Sequence, residues 1–372
     1  MDCAPAGAAR TFGNTDAITQ ARLASAARPS HSTTMSLIHP ISIGSVRTRT
    51  NLVLSPMSGV TDCAFRTLVR SCSGNAVGLV VSEFIAAEGL TRDNQKTLRM
   101  LRYKEAERPV SIQIFGADVD RMVRAAQMVE DAGADIVDIN CGCPAPKVVR
   151  RGGGAQLMCH TDKLRDVIRG IRNSVSIPVT VKIRSGWDDD SLNALDVARM
   201  VEGEGAAMVA VHGRTRVQLY RGEADWGVVS EIRSKLSVPV VGSGDIVDPV
   251  DAEKRLRDGC SDAVMIGRGA MGNPWIFRQI VDQCEGRPVK VPSADDRVRA
   301  IRDFRDALRE TAEDRAFIGR FRGLACRFVK GMRDGAAARR AIGEATTVDD
   351  AVKIFEEFVH GEPIERGNRA VA

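Results

Sequence analysis

The chain has 372 residues, 44% of them hydrophobic, with 53 Lys and Arg against 48 Asp and Glu and a net charge of +5. That supplies one large core and a small second unit, and it excludes a disordered or fibrous protein. No window approaches the roughly 18 consecutive apolar residues of a membrane span, and the nine cysteines include no Cys-x-x-Cys pair, so neither a membrane protein nor a zinc or iron–sulfur centre is expected. Scattered cysteines of this kind read as the reduced thiols of a cytoplasmic protein.

Residues 1–34 are rich in Ala, Ser, Thr and Arg and show no periodicity. They read as an unfolded extension: either a transit peptide or, the preferred reading, sequence upstream of a true start at Met35. From there short β-rich runs recur at Leu52–Met57, Leu79–Phe84, Val110–Phe115, Ile136–Asn140, Val179–Ile183, Met208–His212, Val240–Gly244 and Ala263–Gly267. Each gap is long enough for a helix and two loops, which predicts a (β/α)8 TIM barrel over residues 35–289. Proline precedes the third, fifth and seventh runs (Pro109, Pro178, Pro239), where a missing backbone donor costs least. Glycines in the joints before the fourth, sixth and eighth runs, at 133, 205 and 259, predict left-handed helix caps.

After Pro292 no strand signal returns. Helical spacing over 294–309, 313–330 and 348–359 predicts a smaller all-helical unit spanning 290–372. Between Arg297 and Arg340 it holds 13 Lys and Arg against 6 Asp and Glu, a bias that suits an anionic polymer as well as a solvated helical face.

Active sites of such barrels lie at the carboxyl ends of the strands. There Asn140-Cys141-Gly142-Cys143-Pro144 places cysteines where a strand opens into a turn, followed by Lys147, Arg150, Arg151 and three glycines. A buried structural cysteine is the ordinary alternative, but this surrounding favours a reactive thiol in the turn, at Cys143 with Cys141 as the competitor. Gln113, Lys182 and His212 project from other strand ends towards the same volume, where a lysine would stabilise a negatively charged ring edge. Glycines near the ends of the last two strands, with Arg268, predict a phosphorylated ligand, although a glycine pair is often only a tight turn.

The runs Ser55-Pro56-Met57-Ser58-Gly59-Val60-Thr61-Asp62, Gln113-Ile114-Phe115-Gly116, Asn140 to Pro144 and Val211-His212-Gly213-Arg214-Thr215 together resemble the bacterial tRNA-dihydrouridine synthases. Gln218 to Trp226, Gly242-Ser243-Gly244-Asp245-Ile246 and Ile266-Gly267-Arg268-Gly269 extend the likeness. The resemblance implies an FMN-bound barrel with a helical tRNA-binding domain that reduces uridine in tRNA to dihydrouridine with NADPH as electron source. It implies FMN contacts at Pro56, Met57, Ser58, Gln113, Lys182, Ser243, Gly244, Asp245, Gly267 and Arg268, with His212 bordering the flavin and Cys143 in the proton-donor position. Asn140, Lys147, Arg151 and Arg214 are expected to meet the tRNA. A monomer without metal is expected.

Ser243 stands where the family commonly has asparagine, Pro146 where lysine is frequent, and Phe321-Arg322-Gly323-Leu324 where a more basic motif is usual. Two other readings stay open at this point. One is an FMN barrel acting on a free pyrimidine, which the basic helical extension disfavours; the other is a noncatalytic RNA-binding regulator, in which Cys143 is dispensable.

Overall fold

The computed structural model describes residues 36–311 and 314–361; the extension expected over residues 1–34 lies outside them. Eight parallel strands are present: β1 (Leu52–Leu54), β2 (Leu79–Val81), β3 (Val110–Phe115), β4 (Ile136–Asn140), β5 (Val179–Arg184), β6 (Met208–His212), β7 (Val240–Ser243) and β8 (Ala263–Ile266). Each pairs with the next, and β8 returns to β1 with Val264 opposite Leu52, so the sheet closes into the expected (β/α)8 barrel.

Side chains alternate between the two faces of a strand, and this alternation decides what reaches the site. Val137 and Ile139 of β4, Val179, Val181 and Ile183 of β5, and Val209 and Val211 of β6 point outwards into the core shared with the helices. Ile136, Met208, Ala210, Val241 and Met265 fill the barrel interior instead. The same period therefore sends Asn140, Lys182, Arg184, His212 and Ser243 inwards at the carboxyl mouth. At the other end, Ile41 and Ile43 of a small antiparallel hairpin (Ser42–Ile43 with Val46–Arg47) join the interior cluster and plug it.

The barrel helices are α1 (Cys63–Ser73), α2 (Val119–Asp131), α3 (Thr161–Ser174), α4 (Ala194–Gly203), α5 (Trp226–Lys235), α6 (Pro249–Arg257) and α7 (Ile276–Cys284). Gly133, Gly205 and Gly259, just beyond α2, α4 and α6, have φ of 81°, 91° and 64°. These are the left-handed caps anticipated from the joints.

β7 and β8 stop one residue earlier than expected, and β1 and β2 three residues earlier. β1 ends before Pro56, which has no N–H to give a ladder. β2 breaks after Val81 and resumes only at Ile85–Ala86, because the Ser82 hydroxyl accepts the Gln113 N–H in place of a backbone carbonyl.

Four helices follow: α8 (Ala294–Thr311), α9 (Asp314–Phe328), α10 (Gly335–Glu344) and α11 (Val348–His360). α10 was not anticipated. Its buried stripe is little more than Ala338 and Ile342, too small a signal against the flanking glycines. Aromatic contacts bind the helices together, with Phe304 stacked on Phe321 at 6.4 Å and Phe328 edge-on to Phe355 at 6.2 Å. The basic bias is reduced by pairing: Arg302 with Glu356, Arg305 with Asp306, Arg309 with Asp349, and Arg320 with Asp62 at the start of α1. Among the described residues no helix is long and apolar enough to cross a membrane.

Candidate active site at the barrel mouth

A cavity of about 580 Å³ opens at the carboxyl ends of the strands. Pro56, Met57 and Ser58 line it from the turn after β1, Asn140 and Cys143 from β4, and Lys182 and His212 from β5 and β6. Ser243, Gly244 and Asp245 line it after β7, Gly267 and Arg268 after β8. Twelve expected site residues thus converge on one volume.

The turn carrying Cys143 is held by a relay of buried amides. Asp138 accepts from the Gln113 Nε2 at 2.6 Å, the Gln113 Oε1 accepts from the Asn140 Nδ2 at 2.7 Å, and the Asn140 Oδ1 accepts from the Cys143 N–H at 2.9 Å. Gln113 is fully buried and lies behind the cavity wall, with both ends of its amide engaged. In this arrangement it positions Asn140, and through it the Cys143 turn. Arg184, the last residue of β5, donates to the Gly142 carbonyl at 2.8 Å and the Thr215 carbonyl at 2.7 Å. It clamps the β4 turn to the β6 turn.

Cys141 and Cys143 separate cleanly. Cys141 has no exposed surface and sits in the outer core. Cys143 lines the cavity, and burial pushes its thiol above the ordinary cysteine range despite a backbone hydrogen bond and the charge of Arg184, so it is protonated at neutral pH. Burial, reinforced by the charges of Lys182, Arg184, Arg214 and Arg268, pushes His212 down to about 2 and keeps the imidazole neutral. Its Nε2 is buried without a partner among the described residues, on a side chain that lines the cavity. Burial likewise lowers Lys182 to about 8, with Arg184 adding to the effect and Asp138 opposing it.

Asp245 organises the opposite wall. Its carboxylate accepts from Arg214 at 2.7 Å, from Arg268 at 3.0 Å and from the Ala224 N–H at 2.7 Å. Burial raises its pKa, but these donors outweigh it and hold the group below the usual carboxylate range. Arg214 is only 2% exposed and also donates to the carbonyls of Arg221 and Gly222. It acts as a buried strut of this wall. Lys147 and Arg151 are exposed on the rim outside the cavity lining, with Arg151 3.7 Å from Glu88.

The glycines at the end of β7, Gly242 within it and Gly244 just beyond, have a reason that the sequence did not reveal. A Cβ on Gly242 would lie 2.2 Å from the Trp226 ring. One on Gly244, whose φ is 128°, would lie 2.4 Å from the Ala224 Cβ. Gly244→Ala is expected to lower stability by about 1–3 kcal/mol. Gly203→Ala, where a Cβ would meet nothing within 4 Å, should raise it by about 0.5–1 kcal/mol. Urea midpoints of the two variants check both signs.

Sequence reasoning also missed Tyr220 and Arg327. Tyr220, 58% exposed, lies under the Arg268 guanidinium at 4.7 Å and 6.4 Å from the His212 ring. Arg327 reaches the cavity from α9. Neither position carries a strand-end signal.

A closed parallel barrel with a protonated thiol, a lysine, a neutral histidine and an Arg–Asp–Arg wall around one mouth cavity defines a barrel enzyme site. The family model described as "Dihydrouridine synthase (Dus)" matches residues 53–362, and the chain belongs to that family. It is 40% identical over 286 residues to a probable tRNA-dihydrouridine synthase of Rhodobacter capsulatus, covering 76% of this chain and 86% of that protein. It is 34% identical over 326 residues to tRNA-dihydrouridine synthase B of Pasteurella multocida, covering 85% and 95%. Among solved structures, a 2-naphthoyl-CoA reductase complex superposes with a TM-score of 0.54 at 14% identity, over 88% of this chain and 70% of that one. Morphinone reductase gives 0.50 at 16% identity, over 72% and 94%. At such identities these two establish the barrel fold alone.

Proposed function

We propose that this protein reduces the C5=C6 bond of uridines in tRNA to give 5,6-dihydrouridine, with FMN held at the barrel mouth and NADPH as reductant. The observation that carries the reading is the presence of Cys143, Lys182 and His212 in one cavity of a chain belonging to the dihydrouridine synthase family. The residues fit FMN: the cavity is of cofactor size, His212 presents an unmatched buried nitrogen, and Lys182 and Arg268 supply positive charge. Pro56, Met57, Ser58, Lys182, His212, Ser243, Gly244, Asp245, Gly267 and Arg268 would hold it. When bound, FMN supplies the hydride that adds to uracil C6 and is replenished by NADPH.

The protein's own part is acid catalysis and positioning. The C5=C6 bond is conjugated to the C4 carbonyl, so addition at C6 leaves carbanion character at C5, which must gain a proton. Cys143 gives it: its thiol is protonated because it is buried, and the Arg184 charge nearby steadies the thiolate left behind. The Asp138–Gln113–Asn140 relay and the Arg184 clamp hold the turn while this happens. Uridine must first leave its stack, at a cost of a few kcal/mol that contacts elsewhere on the RNA offset. Lys147 and Arg151 on the rim are assigned to those contacts, and residues 290–372 to the tRNA-binding domain beside the catalytic barrel of 35–289. The protein acts as a cytoplasmic monomer in this reading.

A spectroscopic assay tests the proposal. Protein loaded with FMN should oxidise NADPH faster when unmodified tRNA is added, and free uracil or orotate should not replace the tRNA. Stimulation by the free pyrimidine alone would overturn the choice of substrate.

Flavin affinity should also follow the charge of Lys182. Above pH about 8 the free protein's lysine is neutral, so binding an anionic flavin then requires proton uptake. Affinity should fall by up to about tenfold per pH unit above that point. Fluorescence titrations of Lys182→Met should lack the slope. In the unliganded protein, Lys182 lies below its usual 10.5, so its contribution makes stability rise with pH between about 8 and 10.5.

A further inference from the structure

The charges lining the cavity do not balance. Lys182, Arg184, Arg268 and Arg327 face one carboxylate, Asp245, which already accepts from Arg214 and Arg268. Arg184 is held by carbonyl oxygens. That leaves Arg268 and Arg327, beside Gly267 and Met271, with donors to offer an anion.

Arg327 belongs to α9 and not to the barrel, yet its place at the mouth is fixed by packing. Its neighbour Phe328 is buried, edge-on to Trp275 at 5.8 Å and to Phe355 at 6.2 Å. Gly272, four residues after Arg268, lets α9 come close: a Cβ there would lie 2.9 Å from the Arg327 carbonyl oxygen. Among the described residues no hydrogen bond or ion pair engages the Arg327 guanidinium. The side chain is exposed and borders the cavity, so its guanidinium has donors to offer an anion bound there.

We propose that Arg327 is the second guanidinium of a phosphate site whose first is Arg268, and that its ligand is the terminal phosphate monoester of FMN. The inference rests on the flavin reading above. A monoester is close to dianionic at neutral pH and presents three acceptor oxygens, so two planar forks arriving from different elements can both engage it. A backbone phosphodiester of RNA carries one charge and has two of its oxygens esterified into the chain, so it offers two such forks fewer acceptors than a monoester does. The cofactor phosphate would then join the barrel to the helices that follow it.

The test is equilibrium titration of the flavin-free protein with FMN and, separately, with riboflavin, which lacks the phosphate. Arg327→Ala should weaken FMN roughly tenfold to a hundredfold and leave riboflavin within about twofold, Arg327→Lys should recover part of the loss, and Arg268→Ala should show the same selectivity. In wild type, FMN should raise the melting temperature more than riboflavin at equal concentration, and Arg327→Ala should shrink that difference. An equal loss for both flavins would mean a structural role and overturn the proposal. Unchanged FMN affinity with weakened tRNA binding would overturn it in favour of an RNA contact. Wild-type protein binding both flavins equally would refute the phosphate site alone, whereas binding neither would refute the flavin reading beneath it.

Discussion

Replacing Cys143 by alanine is expected to slow dihydrouridine formation by roughly 10²- to 10⁴-fold while flavin content and tRNA affinity stay near wild type. The thiol lines the cavity, is protonated through burial, and is the cysteine of its turn that faces the ligand volume. Removing it takes away the proton for C5 and the thiol's hydrogen bond to the Ala145 backbone, while Asn140 still holds the turn through the Cys143 N–H. Cys143→Ser should remain slow, because a hydroxyl is a much weaker acid. Cys141→Ala is the contrast. That thiol sits in the outer core, so its loss should lower stability slightly and leave turnover intact. Single-turnover measurements on the three variants separate chemistry from binding; a fully active Cys143→Ala protein would remove the acid from the mechanism and favour a noncatalytic role for that turn.

The largest stability effect is expected at Glu107. Its carboxylate is fully buried, accepts from the Arg66 Nε at 2.6 Å, and also takes the Lys104 N–H at 2.9 Å and the Cys63 thiol at 3.2 Å. Arg66, 1% exposed, donates its remaining nitrogens to the carbonyls of Thr61 and Arg102. Glu107→Ala would strand that guanidinium in the interior, at a cost of about 3–5 kcal/mol, a large part of the 5–15 kcal/mol typical of a whole fold. The consequence reaches the site, because Thr61 closes the turn after β1 through its bonds to Met57. Weaker FMN binding should therefore accompany the lower urea midpoint. Burial and the Glu107 charge together push the Cys63 thiol up to about 12, so Cys63 should resist thiol reagents in wild type and become reactive in the variant. A midpoint within experimental error of wild type would show that the pair contributes nothing net.

The barrel and the convergence of its strand ends were legible because both follow from short-range periodicities. Alternation along β4, β5 and β6 puts Asn140, Lys182 and His212 on the inner face whatever the rest of the chain does, and glycines 133, 205 and 259 mark helix ends by their backbone alone. Less legible was which polar residue faces the cavity and which stands behind it. Gln113 and Arg214 occupy strand-end positions like those of Lys182 and His212, but Asp138 and Asp245, brought near by closure of the barrel, draw them into the wall. Gly242 makes room for the Trp226 ring, a contact set by the packing of α5 that no local signal announces. Arg327 is invisible to strand-end reasoning because tertiary docking of α9 alone brings it to the mouth. The basic bias of the last helices was read correctly as a count, yet several of its arginines are balanced by carboxylates distant in sequence.

The most direct test of the proposed activity is mass spectrometry of nucleosides from unmodified tRNA incubated with the FMN-loaded protein and NADPH. The account predicts a uridine heavier by two hydrogens that appears only with protein, maps to particular positions after fragmentation, and is lost with Cys143→Ala. Bound flavin that NADPH reduces, with no heavier uridine in any tRNA supplied, would contradict it.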